Sequence, residues 1–198
     1  MTSDLADPTT ATLAVADALR AAQIPGVVYG GLALGAYGEP RETKDADFAV
    51  VATPVATVLA ALERAGVEAS VSFDAVRFGG VRITRILLLA APDASGLNVL
   101  DLVEPLSMDY GRRMLSRGLT GSMRGTEVSL VSPEDFVVLK VLSTRERDLE
   151  DAASVMRRLR EHVDRGLVER EIDELAALID DHPIRARYER VREAARAG

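Results

Sequence analysis

The chain has no cysteine and only two histidines, and it offers no apolar run long enough to cross a bilayer. The first absence excludes a disulfide framework and thiolate catalysis. His162 and His182 alone do not make a typical zinc site, which leaves oxygen as the ligand type for any metal. Ile86-Leu87-Leu88-Leu89-Ala90-Ala91 is far too short for a transmembrane helix. The amino terminus, Met1 to Asp7, is acidic where a secretory signal would be basic, so a cytoplasmic protein is expected. Basic charge is also in deficit, with 24 Lys and Arg against 31 Asp and Glu and a net charge of -7. Extended DNA or RNA binding needs clustered Lys and Arg and is therefore not expected, although Arg157, Arg158 and Arg160 could form a local basic patch. Internal repeats, low-complexity segments and a Gly/Ser/Pro-rich linker are absent as well.

What is present suits a compact enzyme. The 198 residues, 47% of them hydrophobic, can build a real core in one domain of ordinary size or in a domain with a helical extension. Periodicity and punctuation predict a helix from Thr10 to Ala22 entered after Asp7-Pro8, and a second from Pro54 to Ala65. Strands are predicted at Gly26–Tyr29, Ala69–Phe73, Val81–Leu89, Leu97–Val103 and Glu127–Val131, with Gly79-Gly80 turning an antiparallel hairpin. A helix covers Met108–Leu115, and everything from Ser132 onward reads as helix. The expected fold class is α+β (α/β): a mixed, twisted sheet with flanking helices over residues 1–131, then a helical part over 132–198 packed on it. The cleft should lie between the two.

Chemistry concentrates in Tyr29-Gly30-Gly31, thirteen spacer residues, and Asp45-Ala46-Asp47-Phe48. On a strand, Asp45 and Asp47 would share one face, roughly 7 Å apart by strand rise. Paired carboxylates repel, and a divalent cation removes that penalty. Mg²⁺ is the natural choice, since it takes oxygen ligands and is usually held by one or two carboxylates together with substrate phosphates. Gly30 and Gly31, ahead of a short helix from Leu32, permit close backbone approach and offer free N–H groups to a triphosphate. Arg41 and Lys44 in the spacer could pair with phosphate oxygens. The blander readings are a tight turn at the glycines and a solvated charged loop leading into an edge strand.

Two further residues stand out. Asp101, within Val99-Leu100-Asp101-Leu102-Val103, is costly to bury alone and needs a metal, a wet cleft, or an arginine such as Arg82 or Arg85. Lys140 is a lone cation in an apolar helix whose start is marked by Ser132 as cap and Pro133 at the first position. Either its ammonium reaches nucleotide phosphates, or it snorkels to water, or it pairs with Asp148 or Asp151. Arg147 and Asp151, at i and i+4, could be a surface pair.

Tyr29-Gly30-Gly31, the alternating acids and the later Asp101 together resemble the signature of the DNA polymerase beta-like nucleotidyltransferase superfamily. Ser132 to Lys140, followed by Arg145 to Ala152, is similar to the C-terminal half of small stand-alone bacterial nucleotidyltransferases, including the abortive-infection toxin group. The resemblance spans roughly Gly26 to Ala152. It implies a nucleotidyltransferase fold in which Asp45, Asp47 and Asp101 hold two Mg²⁺ ions. Asp101 also assists deprotonation of an acceptor hydroxyl, which attacks the α-phosphorus of a nucleoside triphosphate and expels pyrophosphate. Gly30 and Gly31 would position phosphates, and Arg41, Lys44 and Lys140 would neutralise their charge. The acceptor stays open between a protein side chain, an RNA end and a small antibiotic-like alcohol. A catalytically silent nucleotide- or partner-binding module of the same fold is the alternative. A place in a toxin–antitoxin or phage-defence pair, as toxin or antitoxin, is a third reading.

Overall fold

The computed structural model describes residues 5–38, 40–89 and 97–197. Met1 to Asp4, Glu39 of the spacer, and Ala90 and Ala91 of the apolar stretch lie outside them. In chain order the elements are α1 (Pro8–Ala21), β1 (Gly26–Val28), α2 (Gly30–Tyr37), β2 (Ala46–Val50) and α3 (Val55–Arg64). Then come β3 (Glu68–Phe78), β4 (Val81–Leu89), β5 (Leu97–Pro105), α4 (Met108–Ser116), β6 (Leu119–Met123) and β7 (Thr126–Leu130). Four helices close the chain: α5 (Pro133–Leu142), α6 (Glu146–Arg158), α7 (Arg165–Leu178) and α8 (Ile184–Ala197).

Local chemistry explains the helix starts. The Asp7 carboxylate accepts the Thr10 N–H at 2.8 Å, and Pro8 occupies the first turn, where a missing N–H is harmless. At α5, Ser132 Oγ accepts the Asp135 N–H at 3.1 Å, again with proline next in sequence.

The strands form one sheet in the order β3-β4-β5-β2-β1-β7-β6. Pairs β2·β5 and β1·β7 are parallel and the others antiparallel, so the sheet is mixed and the fold is α+β. Alternation decides what each face carries. Ala46, Phe48, Leu100, Leu102, Ile86 and Leu88 are buried on one face. Asp47, Asp101 and Arg85, in register with one another across β2, β5 and β4, stand on the opposite face. The Gly79-Gly80 turn joins β3 to β4, with Gly79 in the left-handed region at φ 62°.

Helix α5 is buried on all sides from Asp135 to Leu142, as befits a central helix. It is tied to α4 and α7 by ions as well as by packing. Arg117 donates to both oxygens of buried Asp135, at 2.8 and 2.6 Å, and reaches Glu171 at 2.9 Å. On α8 the stripe Ile184, Tyr188 and Val191 faces inward. Arg157 donates to the Ala194 carbonyl, while Arg158 and Arg160 are exposed. Among the described residues no helix is long and apolar enough to cross a membrane.

Three elements depart from the sequence reading. Helix α2 begins at Gly30 itself, so the glycines form its first turn rather than preceding it. Strand β3 continues five residues past Phe73, through register shifts on both sides of that residue. Strand β6 pairs with β7 as an edge hairpin where no strand was expected. Its Leu-Thr-Gly-Ser-Met sequence is largely exposed and lacks apolar alternation.

Candidate active site

The site begins where β1 runs into α2. The Tyr29 N–H donates to the Asp47 carbonyl at 2.9 Å, which fixes the glycine turn against the acid-bearing strand. Gly30 sits at φ 67°, and a Cβ built there would lie 1.9 Å from Asp47 Oδ2. A Cβ on Gly31 would lie 2.6 Å from the Thr43 Cβ. Both glycines are thus needed by close approach, and Gly30 by backbone handedness too. No side chain caps the start of α2.

Asp47 on β2 is the register partner of Asp101 on β5, and Asp45 lies in the bend just before β2. The sequence pairs Asp45 with Asp47 on one strand face. In the fold, the Asp101 charge weighs more heavily on Asp47 than that of Asp45 does. Desolvation and then Asp101 push the Asp47 carboxyl up to about 7, against the opposing pull of Lys140. Its carboxylate takes no hydrogen bond or ion pair from any described side chain. Asp101, 3% exposed, is by contrast fully engaged: Arg85 Nε donates to Oδ1 at 2.8 Å and Nη2 to Oδ2 at 2.7 Å. Of the arginines weighed as its partner, Arg85 is the one the fold selects.

Lys140 is 4% exposed and binds two acids of α6, Asp148 at 2.6 Å and Asp151 at 3.0 Å. Its ammonium also lies over the rings of Tyr29 and Phe136, 5.3 and 5.4 Å from their centroids. Arg41 reaches across the cleft to the same Asp151, with Nε and Nη2 at 3.2 and 3.1 Å from its two oxygens. Burial pushes the Asp151 carboxyl up, but the hydrogen bonds from Arg41 and the charge of Lys140 outweigh it and hold the group below its ordinary value. Asp151 therefore pairs with these two cations and not with Arg147.

Gly30, Arg41, Lys44, Asp45, Asp47, Asp101 and Lys140 all line one cleft of about 480 Å³, with Gly31 packed behind it on Thr43. Its far wall comes from α5 and the start of α6. Residues 9–196 match the family described as nucleotidyl transferase of unknown function (DUF2204). The chain belongs to this nucleotidyl transferase family. No curated protein sequence matches it. An antigenic nucleotidyltransferase-like protein from Paracoccidioides brasiliensis superposes with a TM-score of 0.50 at 18% identity, over 91% of each chain. The solution structure of the antibiotic-resistance factor ANT(2'')-Ia gives a TM-score of 0.50 at 14% identity, over 96% of this chain and 97% of that one. At such identities the likeness is one of fold, and the fold is that of nucleotidyltransferases.

For a member of this transferase family, the cations not already spent matter most. Lys44, Arg145 and Arg147 line the cleft, and no described acid forms an ion pair with any of them. Arg145 and Arg147 belong to the segment noted in the sequence, but only the fold separates them from the committed Arg41 and Lys140. Arg85 was visible in the sequence merely as a possible partner for Asp101.

Among the described residues no three His, Cys, Asp or Glu side chains gather closely enough to cage a metal by themselves. The donors that are present, Asp47 without a partner and Asp45 at the cleft wall, are hard oxygens few in number. That set fits Mg²⁺, which completes its shell with water and substrate phosphates instead of demanding a protein cage.

Proposed function

We propose that this protein transfers a nucleoside monophosphate from a nucleoside triphosphate to a hydroxyl acceptor. The observation that carries the reading is the convergence of the glycine turn, three carboxylates and three uncommitted cations on one cleft. Asp45, Asp47 and Asp101 would hold Mg²⁺, two ions in all. Bound there, Mg²⁺ would supply charge neutralisation for attacking and leaving oxygens. Gly30 and Gly31 leave room for phosphate to approach the backbone, and Lys44, Arg145 and Arg147 offset its charge. Arg41 and Lys140, nominated from the sequence for that work, act one layer back by holding Asp148 and Asp151. The acceptor oxygen bonds to the α-phosphorus while the bond to the bridging oxygen breaks, and pyrophosphate departs. The acceptor proton passes to Asp101 once an oxygen of that carboxylate is free.

The test is incubation of purified protein with labelled nucleoside triphosphates, Mg²⁺ and cell extract, comparing wild type with Asp45→Ala and Asp101→Ala. Label transfer that neither change reduces would sink the mechanism.

One observation favours a second reading, a nucleotide-binding module without turnover: Arg85 occupies both oxygens of Asp101. Calorimetry separates the two, because tight binding of MgATP with no pyrophosphate release supports the module. We propose a cytoplasmic protein with a protein, an RNA end or a small alcohol as acceptor; a place in a toxin–antitoxin or phage-defence pair is a third reading. Growth arrest on expression that Asp45→Ala relieves supports the toxin role; its absence directs the search to a partner that the transferase modifies.

A further inference from the structure

The pairing of Arg85 with Asp101 is built into the sheet. The two residues are register partners across the antiparallel β4·β5 pair, so their side chains leave the same face side by side. The guanidinium fork takes both carboxylate oxygens, a bidentate geometry that adds strength and direction. Its other flank rests on Phe73, the register partner of Arg85 on β3, with the guanidinium carbon 5.6 Å from the ring centroid. Asp101 is nearly sealed from solvent, while the Arg85 side chain keeps 31% of its surface exposed. The cation is thus the solvent-facing member of the pair and the anion the buried one.

A divalent ion that used Asp101 would need at least one of the two oxygens Arg85 occupies. We propose that Arg85 is a latch on the third carboxylate: a built-in cation that holds Asp101 in the absence of metal and competes with a divalent ion for it. Arg85 is then a positioning residue, acting on the reaction through Asp101. The latch keeps Asp101 charge-balanced beside Asp47 and disfavours metal loading before the triphosphate brings its own negative charge. Phe73 supports the latched position. The inference rests on the three-carboxylate reading of the cleft.

The experiment is Mn²⁺ binding to the full chain without nucleotide, followed by calorimetry and by the spin-resonance signal of free Mn²⁺. Arg85→Gln should bind Mn²⁺ about tenfold more tightly than wild type, the scale on which partners of metal ligands tune affinity. Arg85→Lys, which keeps the charge but loses the fork, should fall between. Phe73→Leu leaves every charge in place and should shift affinity in the same direction by less. The gain should vanish when Arg85→Gln is combined with Asp101→Asn. Unchanged or weaker Mn²⁺ binding in folded Arg85→Gln and Phe73→Leu overturns the latch; if Asp47→Asn still weakens Mn²⁺ binding in that case, the carboxylate centre stands without it. Mn²⁺ binding indifferent to both Asp47→Asn and Asp101→Asn overturns the centre and the latch together.

Discussion

The Asp47 carboxylate occupies the space a side chain on Gly30 would need: a Cβ there would come within 1.9 Å of Oδ2. The glycine and the acid are therefore one device, although sixteen residues separate them in the chain. Gly30→Ala should displace Asp47 and strain the backbone, the left-handed conformation alone costing roughly 1–2 kcal/mol. Misplacement of a reacting group can cost about a hundredfold in rate. We expect a loss of that order in label transfer, with circular dichroism retained. Wild-type activity in Gly30→Ala would show that Asp47 does not have to sit there.

Lys140 and Arg145 should separate stability from binding. Lys140→Met leaves Asp148 and Asp151 short of a buried cation and should destabilise the protein by about 3 kcal/mol in urea unfolding. Arg145→Ala removes no ion pair to a described residue and should change stability by less than about 0.5 kcal/mol. It should nevertheless weaken MgATP binding by about tenfold, or about 1.4 kcal/mol, in calorimetry. The reverse pattern, a stable Lys140→Met that no longer binds nucleotide, would return Lys140 to the phosphates.

His182 predicts a pH effect on the cleft wall. The tip of the β3–β4 hairpin docks on the end of α5, with the Gly80 N–H donating to the Leu142 carbonyl at 2.8 Å, and the His182 ring packs against Gly79. Burial holds the His182 imidazole below its ordinary 6.5, and the Arg187 charge adds to this against a contact to the Val141 carbonyl. With the folded value depressed, the unfolded chain takes up the proton first as pH falls through 6.5. The His182 contribution is therefore present above that pH and lost below it. Melting temperature should drop on acidification from pH 7.5 to about 5.5 more in wild type than in His182→Asn. Equal drops would assign the acid sensitivity elsewhere.

Much of this protein was legible in its chain. Asp7-Pro8 and Ser132-Pro133 mark the starts of α1 and α5 because capping is satisfied within three residues. Gly79-Gly80 marks its hairpin because the turn needs a left-handed residue. The glycine turn and the three acids were legible for a similar reason, since their residue types are dictated by the chemistry proposed for them. Strand β6 was not, because an exposed edge strand has no buried face to impose alternation. The extra length of β3 was hidden in the same way, behind register shifts and exposed polar residues.

The sequence by itself determined which groups the site has at its disposal: two glycines, three carboxylates and several cations in a set order. Only the tertiary structure decided which of them are spent. Arg41 is neutralised by Asp151, 110 residues further along the chain, and Lys140 by Asp148 and Asp151 of the next helix; Arg85 is set on Asp101 by strand register, and Lys44, Arg145 and Arg147 line the cleft with no ion pair to any described acid. The reason is physical: composition and local pattern set which charges exist, but the energy of a charge depends on the neighbours that folding brings within a few ångströms of it.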